Sequence, residues 1–124
     1  MRLWHEKLLD KLPKQQLLGQ HSECCGLRGL GWGRKHKIVD YAFKYSLKEL
    51  ELFHMKVMTE MKKRGMHVAD EWLHTGYRGQ KIESNPGGII PLVNYKIYSE
   101  HNDAYLHECL DNLAGKGIVI EVNI

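Results

Sequence analysis

One stretch of this chain concentrates more chemistry than any other. From position 28 it reads Arg-Gly-Leu-Gly-Trp-Gly-Arg-Lys-His-Lys, placing Arg28, Arg34, Lys35, His36 and Lys37 together without an acid. Alternating glycines at 29, 31 and 33 carry no side chain, so their backbone N–H groups can approach a phosphate closely while the cations supply charge. Trp32, in the middle, has two readings: a ring that stacks on or wedges beside a base, or one folded back onto the core. The bland reading of the whole run is a solvated loop. Glu23 is the carboxylate to watch, because it precedes the basic loop on the same expected helix and lies near the charge of Arg28. Its plain alternative is an exposed helical glutamate.

Several other chemistries lack their residues. The chain contains no GxxxxGK[ST] phosphate loop, no HExxH, no paired CxxC, and no HxE with PCxxC. His5-Glu6 and His107-Glu108 each lack a second histidine four residues after the first. A metal site gathered from distant His and Cys residues stays open as an alternative. Cys24 and Cys25 fall close to an apolar helical stripe, where a cysteine usually acts as a small core residue. Adjacent cysteines make a poor disulfide, and the three in the chain cannot all pair, which points to a reducing, cytoplasmic setting.

Elements must position these groups. Pro13 suits the first position of a helix, where its missing N–H costs nothing. Leu17, His21, Cys24 and Arg28 then follow one line, with Leu18 and Cys25 beside it, while Gln16, Gln20 and Glu23 lie on a different face. This helix should stop before Gly29. Ser46-Leu-Lys-Glu49 reads as a capping box opening a second helix, whose buried face is Leu47, Leu50, His54, Val57, Met58 and Met61. Lys62, Lys63 and Arg64 suit its negative end, and Gly65 can close it. A third helix is expected from Asn102 or Asp103 to Gly115, with Tyr105 or Leu106, Cys109, Leu110 and Leu113 inward. Between them, Trp72-Leu73 suggests a short helical turn and Asn85-Pro-Gly-Gly88 a loop. The β-branched tail Gly117–Ile124 suggests a short strand without an obvious partner.

Composition agrees with such a frame. The 124 residues, 43% hydrophobic and 27% charged, suit one domain spanning 1–124 and exclude wholesale disorder. No apolar run approaches the ~20 residues that cross a bilayer, and the charged opening MRLWHEKLLDKLPKQQ is unlike a secretion signal. A net charge of +3, with histidines neutral, is too mild to establish nucleic-acid binding alone. The expected fold is mainly α: about three main helices, long ordered loops and that short C-terminal strand.

On these residues the sequence resembles the phage-type pyrimidine dimer DNA glycosylases, or ultraviolet endonucleases. Leu12-Pro-Lys-Gln-Gln-Leu-Leu-Gly-Gln-His-Ser-Glu23 is similar to that family's first catalytic helix, including the distance from the N-terminus to the glutamate. Arg34-Lys-His36 resembles its basic segment. Leu50 to Gly65 resembles its central helix, and Tyr77-Arg78-Gly79 an aromatic-Arg-Gly element after it. Met-Arg-Leu-Trp-His-Glu and Arg-Gly-Leu-Gly-Trp-Gly-Arg-Lys-His resemble a bacterial branch of small relatives. The likeness spans roughly residues 1–115, with the first helix its most specific part.

The resemblance implies a mechanism and a site. Such enzymes use the chain's α-amine as nucleophile at the sugar C1′ of a damaged nucleotide, forming an imine, breaking the glycosidic bond and then nicking the strand by β-elimination. An α-amine has a reference pKa of ~7.7–8.0 against ~10.4 for lysine, so more of it is neutral at pH 7. The large Arg2 implies that Met1 is retained and supplies that amine, with Arg2 as a cation favouring its neutral form. Glu23 would stabilise the cationic sugar or move protons. Carried over with them is a DNA-contacting set of Arg2, Gln16, His21, Ser22, Arg28, Trp32, Arg34, Lys35, His36 and Arg78, with damaged duplex DNA as partner and no cofactor or metal. The chain departs from the family pattern at Gln16 (usually His), at Ser22 (usually Arg) and in its apolar tail. These departures bear on dimer recognition more than on imine chemistry, so the lesion is expected to differ or activity to be confined to abasic sites. The runner-up is a non-catalytic nucleic-acid-binding module on the same scaffold, ahead of a metal hydrolase built on the histidines.

Overall fold

Three helices carry the architecture in a computed structural model that describes residues 2–122: α1 (Lys14–Arg28), α2 (Leu47–Lys63) and α3 (Asp103–Gly115). Three short 3-10 turns, Glu6–Leu8, Asp40–Lys44 and Asp70–Leu73, punctuate the connections. The protein is mainly α, as expected.

Each boundary follows from local chemistry. Pro13 caps α1 from one position outside it, with an extended ψ of 157°. It therefore acts just ahead of the expected place, giving its carbonyl to the Leu17 N–H. Both arms of the Ser46/Glu49 capping box form at the start of α2, and Gly65 closes its other end at φ +75°. Asn102 opens α3 by accepting from the Tyr105 N–H at 2.9 Å.

α1 packs on α2, and this seam is the core. Leu50, Phe53, Val57, Met58 and Met61 of α2 are buried, and each such side chain contributes about 1.5–3 kcal/mol by leaving water. The inward face of α1 is Leu17, Gln20, Cys24, Leu27 and Arg28. That differs in part from the expected stripe: Leu18 is exposed, His21 and Cys25 are half-buried, and Gln20, expected on another face, goes inside together with Arg28. The cause is what lies over α1. Leu3, Trp4, Leu8, Leu9 and Leu12 are all buried, so the leading segment covers the helix and brings polar backbone to Gln20, while carbonyls of residues 72–77 meet Arg28.

The strand expected at Gly117–Ile124 is not present over the described residues 117–122; positions 123 and 124 lie outside them. Its composition is used differently. Ile118 donates its N–H to Leu113 O at 2.9 Å, continuing the close of α3, and Ile118, Ile120 and Val122 pack against the core. A strand needs a ladder partner, and among the described residues the only β-bridge is the isolated His74–Ile89 pair. No helix among the described residues is long and apolar enough to cross a membrane.

Acid sensitivity is built into the core. His101 is buried, its Nδ1 accepts from the Glu6 N–H at 3.2 Å, and its Nε2 is 2.7 Å from the Tyr41 hydroxyl. Burial, with the nearby His5, Lys96 and Lys56, pushes its pKa down to about 3. Burial together with Arg28 and His21 also holds His54 well below the ordinary imidazole value. Because the folded values lie below the unfolded value of 6.5, the unfolded chain binds more protons in acid. Stability is fully present above pH 6.5 and is lost as pH falls towards 3. Melting temperature should decline steadily below pH 6.5, measured by circular dichroism. A flat profile down to pH 4 would contradict the buried neutral histidines.

Candidate functional site

Residues 20 and 23 stand three apart, so they share one face of α1. The backbone of Arg2–Trp4 crosses that face. The Arg2 N–H donates to Glu23 Oε2 at 3.2 Å, and the Gln20 Nε2 donates both to Arg2 O at 2.9 Å and to the same Glu23 oxygen at 3.3 Å. Gln20 Oε1 accepts from the Trp4 N–H at 2.6 Å. From the other side, the Tyr105 hydroxyl of α3 donates to Leu3 O at 2.6 Å. The leading segment is thus strapped between α1 and α3, with a carboxylate under its first described residue. Met1 lies outside the described residues.

The guanidinium of Arg2 turns towards α3. It pairs with Glu108 at 2.9 Å and sits 5.7 Å from the ring centres of both Trp4 and Tyr105. Its positive field near the N-terminus is therefore partly offset by Glu108. Gln16 is half-buried and Ser22 exposed on α1.

About 7–8 Å further along the axis of α1, at the rise of a regular helix, lies Arg28. The expectation that Arg28 contacts phosphate is corrected: it is wholly buried. Its Nη1 donates to Trp72 O at 2.7 Å and its Nη2 to His74 O at 3.0 Å and Tyr77 O at 2.9 Å, while the guanidinium lies 5.0 Å from the Trp72 ring. Arg28 organises the 72–77 loop from inside. Arg78 also has an architectural task, since its Nε and Nη2 donate to Arg28 O at 2.7 Å and Gly29 O at 3.0 Å, capping the last carbonyls of α1.

The glycine run is likewise corrected. Gly29 and Gly31 donate their N–H groups back to α1 carbonyls, Trp32 donates to Gly29 O and Arg34 to Gly31 O. These donors wrap the end of the helix rather than cradle a phosphate. Gly31 is required there, because a Cβ would meet Gly26 O at 2.8 Å. Trp32 takes its folded-back position, half-buried and edge-on to Phe43 at 5.1 Å, so it is no free-standing wedge. What remains at the surface is charge: Arg34, Lys35 and Lys37 are exposed, while His36 is half-buried and its N–H donates to Asp40 at 2.7 Å. Arg34 also lines a cleft of about 720 Å³ with Gly26, Gly29, Trp72, Tyr77 and Lys81.

A family model described as pyrimidine dimer DNA glycosylase matches residues 1–78. The chain belongs to that family. Membership ties the protein to DNA repair by glycosylase chemistry at family level, with DNA as the substrate class. The match covers the strapped leading segment, α1, the basic loop, α2 and Arg78, while the likeness read from sequence over residues 79–115 lies beyond it. Comparison with curated proteins gives no match, and comparison with solved structures gives none.

One cluster of this pyrimidine dimer glycosylase relative has the look of a metal site. His21, Cys25 and His54 bring their ligand atoms within 4.8 Å of one another. Hydrogen-bond directions do not fit a metal. Arginine only donates, and Arg28 Nη1 lies 3.1 Å from His54 Nδ1, so that nitrogen accepts and the ring proton sits on Nε2. This Nε2–H faces His21 Nδ1 at 2.8 Å. The atom that would bind an ion is thus occupied by a proton, and a cation stands where a metal-bound histidine normally meets a carboxylate or carbonyl. Burial pushes the Cys25 thiol up to about 11, keeping it protonated at neutral pH and making it a poor nucleophile. Cys24 and Cys109 are buried and shifted upward by the same cause.

The spacing of three placed Gln20 on the face of Glu23, but its burial and its bonds to the leading backbone were not read from sequence. Tyr105 was a candidate inward residue and Glu108 was weighed only beside His107; their contacts to Leu3 and Arg2 carried no sequence signal, because only the tertiary fold brings α3 to the N-terminus.

Proposed function

We propose that the protein is a DNA glycosylase with associated abasic-site lyase activity on damaged duplex DNA, working as one domain with the Met1 α-amine as nucleophile and Glu23 as its carboxylate. One observation carries this reading: the Arg2 N–H, three covalent bonds from that amine, donates to Glu23 at 3.2 Å. A nucleophile and a proton-handling group are useful only within a few ångströms of one another, and chain connectivity keeps this pair close.

The chemistry runs in two stages. The neutral amine attacks C1′, its nitrogen forming a bond to carbon as the glycosidic bond breaks. The base departs with the bonding electrons and takes up a proton, the attached nitrogen loses a proton, and its lone pair then expels O4′, which takes up a proton as the sugar ring opens and leaves an iminium at C1′. At a site already lacking its base, the amine condenses with the C1′ aldehyde and releases water. The iminium acidifies C2′. Glu23 takes a C2′ proton, electrons shift to form the C2′–C3′ double bond, and the C3′–O bond breaks with phosphate as leaving group. Water then hydrolyses the imine and returns the amine. With a reference pKa of ~7.7–8.0, roughly a tenth of such an amine is neutral at pH 7.

The exposed Arg34, Lys35 and Lys37 form the electrostatic face towards the phosphates. Gln16, Ser22 and the half-buried His21 are the α1 residues that extend this face in the proposal, with His36 beside the basic loop. Arg34→Ala and Lys35→Ala should each reduce the slope of log K against log salt by about 1 without shifting the melting temperature. Unchanged slopes in fluorescence-anisotropy titrations would move the DNA face elsewhere.

Sodium cyanoborohydride tests the chemistry. Incubated with a duplex containing one abasic site, the protein should form a covalent adduct that migrates as a protein–DNA species in a denaturing gel. Salt-sensitive binding without adduct would favour the non-catalytic binding module instead.

A further inference from the structure

We infer that Gln20 is a positioning residue for this reaction: its buried amide fixes the leading backbone relative to the Glu23 carboxylate. The inference rests on the proposed imine chemistry. Gln20 is 1% exposed, and its amide bridges three groups of the candidate site: the Trp4 N–H at 2.6 Å, Arg2 O at 2.9 Å and Glu23 Oε2 at 3.3 Å.

The orientation of this amide is forced. Turned over, it would set an NH2 against the Trp4 N–H and an oxygen against both Arg2 O and the Glu23 carboxylate, losing every bond it makes. A purely structural clamp would need only the two backbone contacts. The contact to Glu23 couples the clamp to the carboxylate, so that Glu23 Oε2 is held by the Arg2 N–H on one side and by Gln20 on the other. A small displacement at this distance from a reacting centre has a large kinetic effect; about 1 Å can cost a factor of about 100 in rate.

The residue type is also telling. A carboxylate at position 20 would keep the acceptor for the Trp4 N–H but present negative charge to Glu23 and to Arg2 O, where only a donor fits. Gln20→Glu is therefore the discriminating variant, and it retains the bond that orders Trp4. Gln20→Met removes all three bonds and is informative if it folds; should it not fold, Gln20→Glu carries the test.

Two measurements on the full chain decide the matter. In single-turnover nicking of an abasic duplex, Gln20→Glu should lower the maximal rate at pH 7 by at least about tenfold. Its DNA affinity should stay within about twofold, and the acid limb of its pH–rate profile should move up by about one unit, as expected when two carboxylates come together. A residue that only supports the fold would alter melting temperature while leaving that limb in place. Independently of activity, the Met1 α-amine can be carbon-13 methylated and titrated by NMR; the added carboxylate should raise its midpoint by about half a unit or more. If wild-type protein forms no cyanoborohydride adduct, the proposed chemistry fails, while the amine titration still reports on Gln20. A wild-type amine midpoint in Gln20→Glu, or a wild-type rate and pH profile where wild-type protein does nick, overturns the role of Gln20.

Discussion

Glu23→Gln reduces abasic-site nicking by a factor of about 10²–10⁴, the range removed with a positioned acid–base group, while the protein melts within a degree or two of wild type. The substitution is close to isosteric. A glutamine oxygen at that position still accepts from the Arg2 N–H, now 3.2 Å from Glu23 Oε2, so the strap over α1 is retained. What disappears is the negative charge that stabilises a cationic sugar and the lone pair that accepts the C2′ proton. Single-turnover gels beside a thermal melt make the comparison. Nicking at the wild-type rate would remove Glu23 from the mechanism.

Arg28→Met destabilises the protein by about 3–5 kcal/mol, the cost of removing one partner from a buried charge network. The guanidinium donates to three carbonyls, those of Trp72, His74 and Tyr77, and lies 3.9 Å from Glu51. A thioether donates nothing, so the buried carbonyls would lose their donor and Glu51 its counter-charge. Glu51 also accepts from the Thr75 hydroxyl at 2.7 Å and the Gly76 N–H at 2.8 Å, so the 72–77 loop loosens as a unit. Urea denaturation reads this directly. The opposite pattern, wild-type stability with lost DNA affinity, would return Arg28 to the phosphate-contacting role first expected of it.

These two residues show why part of the site could be read from sequence and part could not. Glu23 was singled out by the resemblance, and its approach to the Arg2 N–H depends only on α1 and the leading segment. Helix limits were legible for the same local reason: Ser46 with Glu49 opens α2, and Gly65 at φ +75° ends it. Arg28 was misread because a cation at a helix terminus normally lies in solvent, and the carbonyls that bury it come from residues more than 40 positions later. Gln20 was placed on the face of Glu23, but its burial was not legible, since its partners, Arg2 and Trp4, reach it only once the leading segment folds over α1. The glycines at 29 and 31 carried a real signal for tight backbone approach, but the approach is to α1 itself. In the tail, β-branched composition marked apolar residues that pack on the core, and composition alone cannot supply a ladder partner.

The central claim is that the reacting nitrogen is the one at the head of the chain. Peptide mapping of the cyanoborohydride-reduced adduct on an abasic duplex tests it most directly. The sugar remnant should reside on the α-nitrogen of Met1, and selective acetylation of this amine should abolish adduct formation. A remnant on a lysine side chain, or an undiminished yield from the acetylated protein, would contradict it.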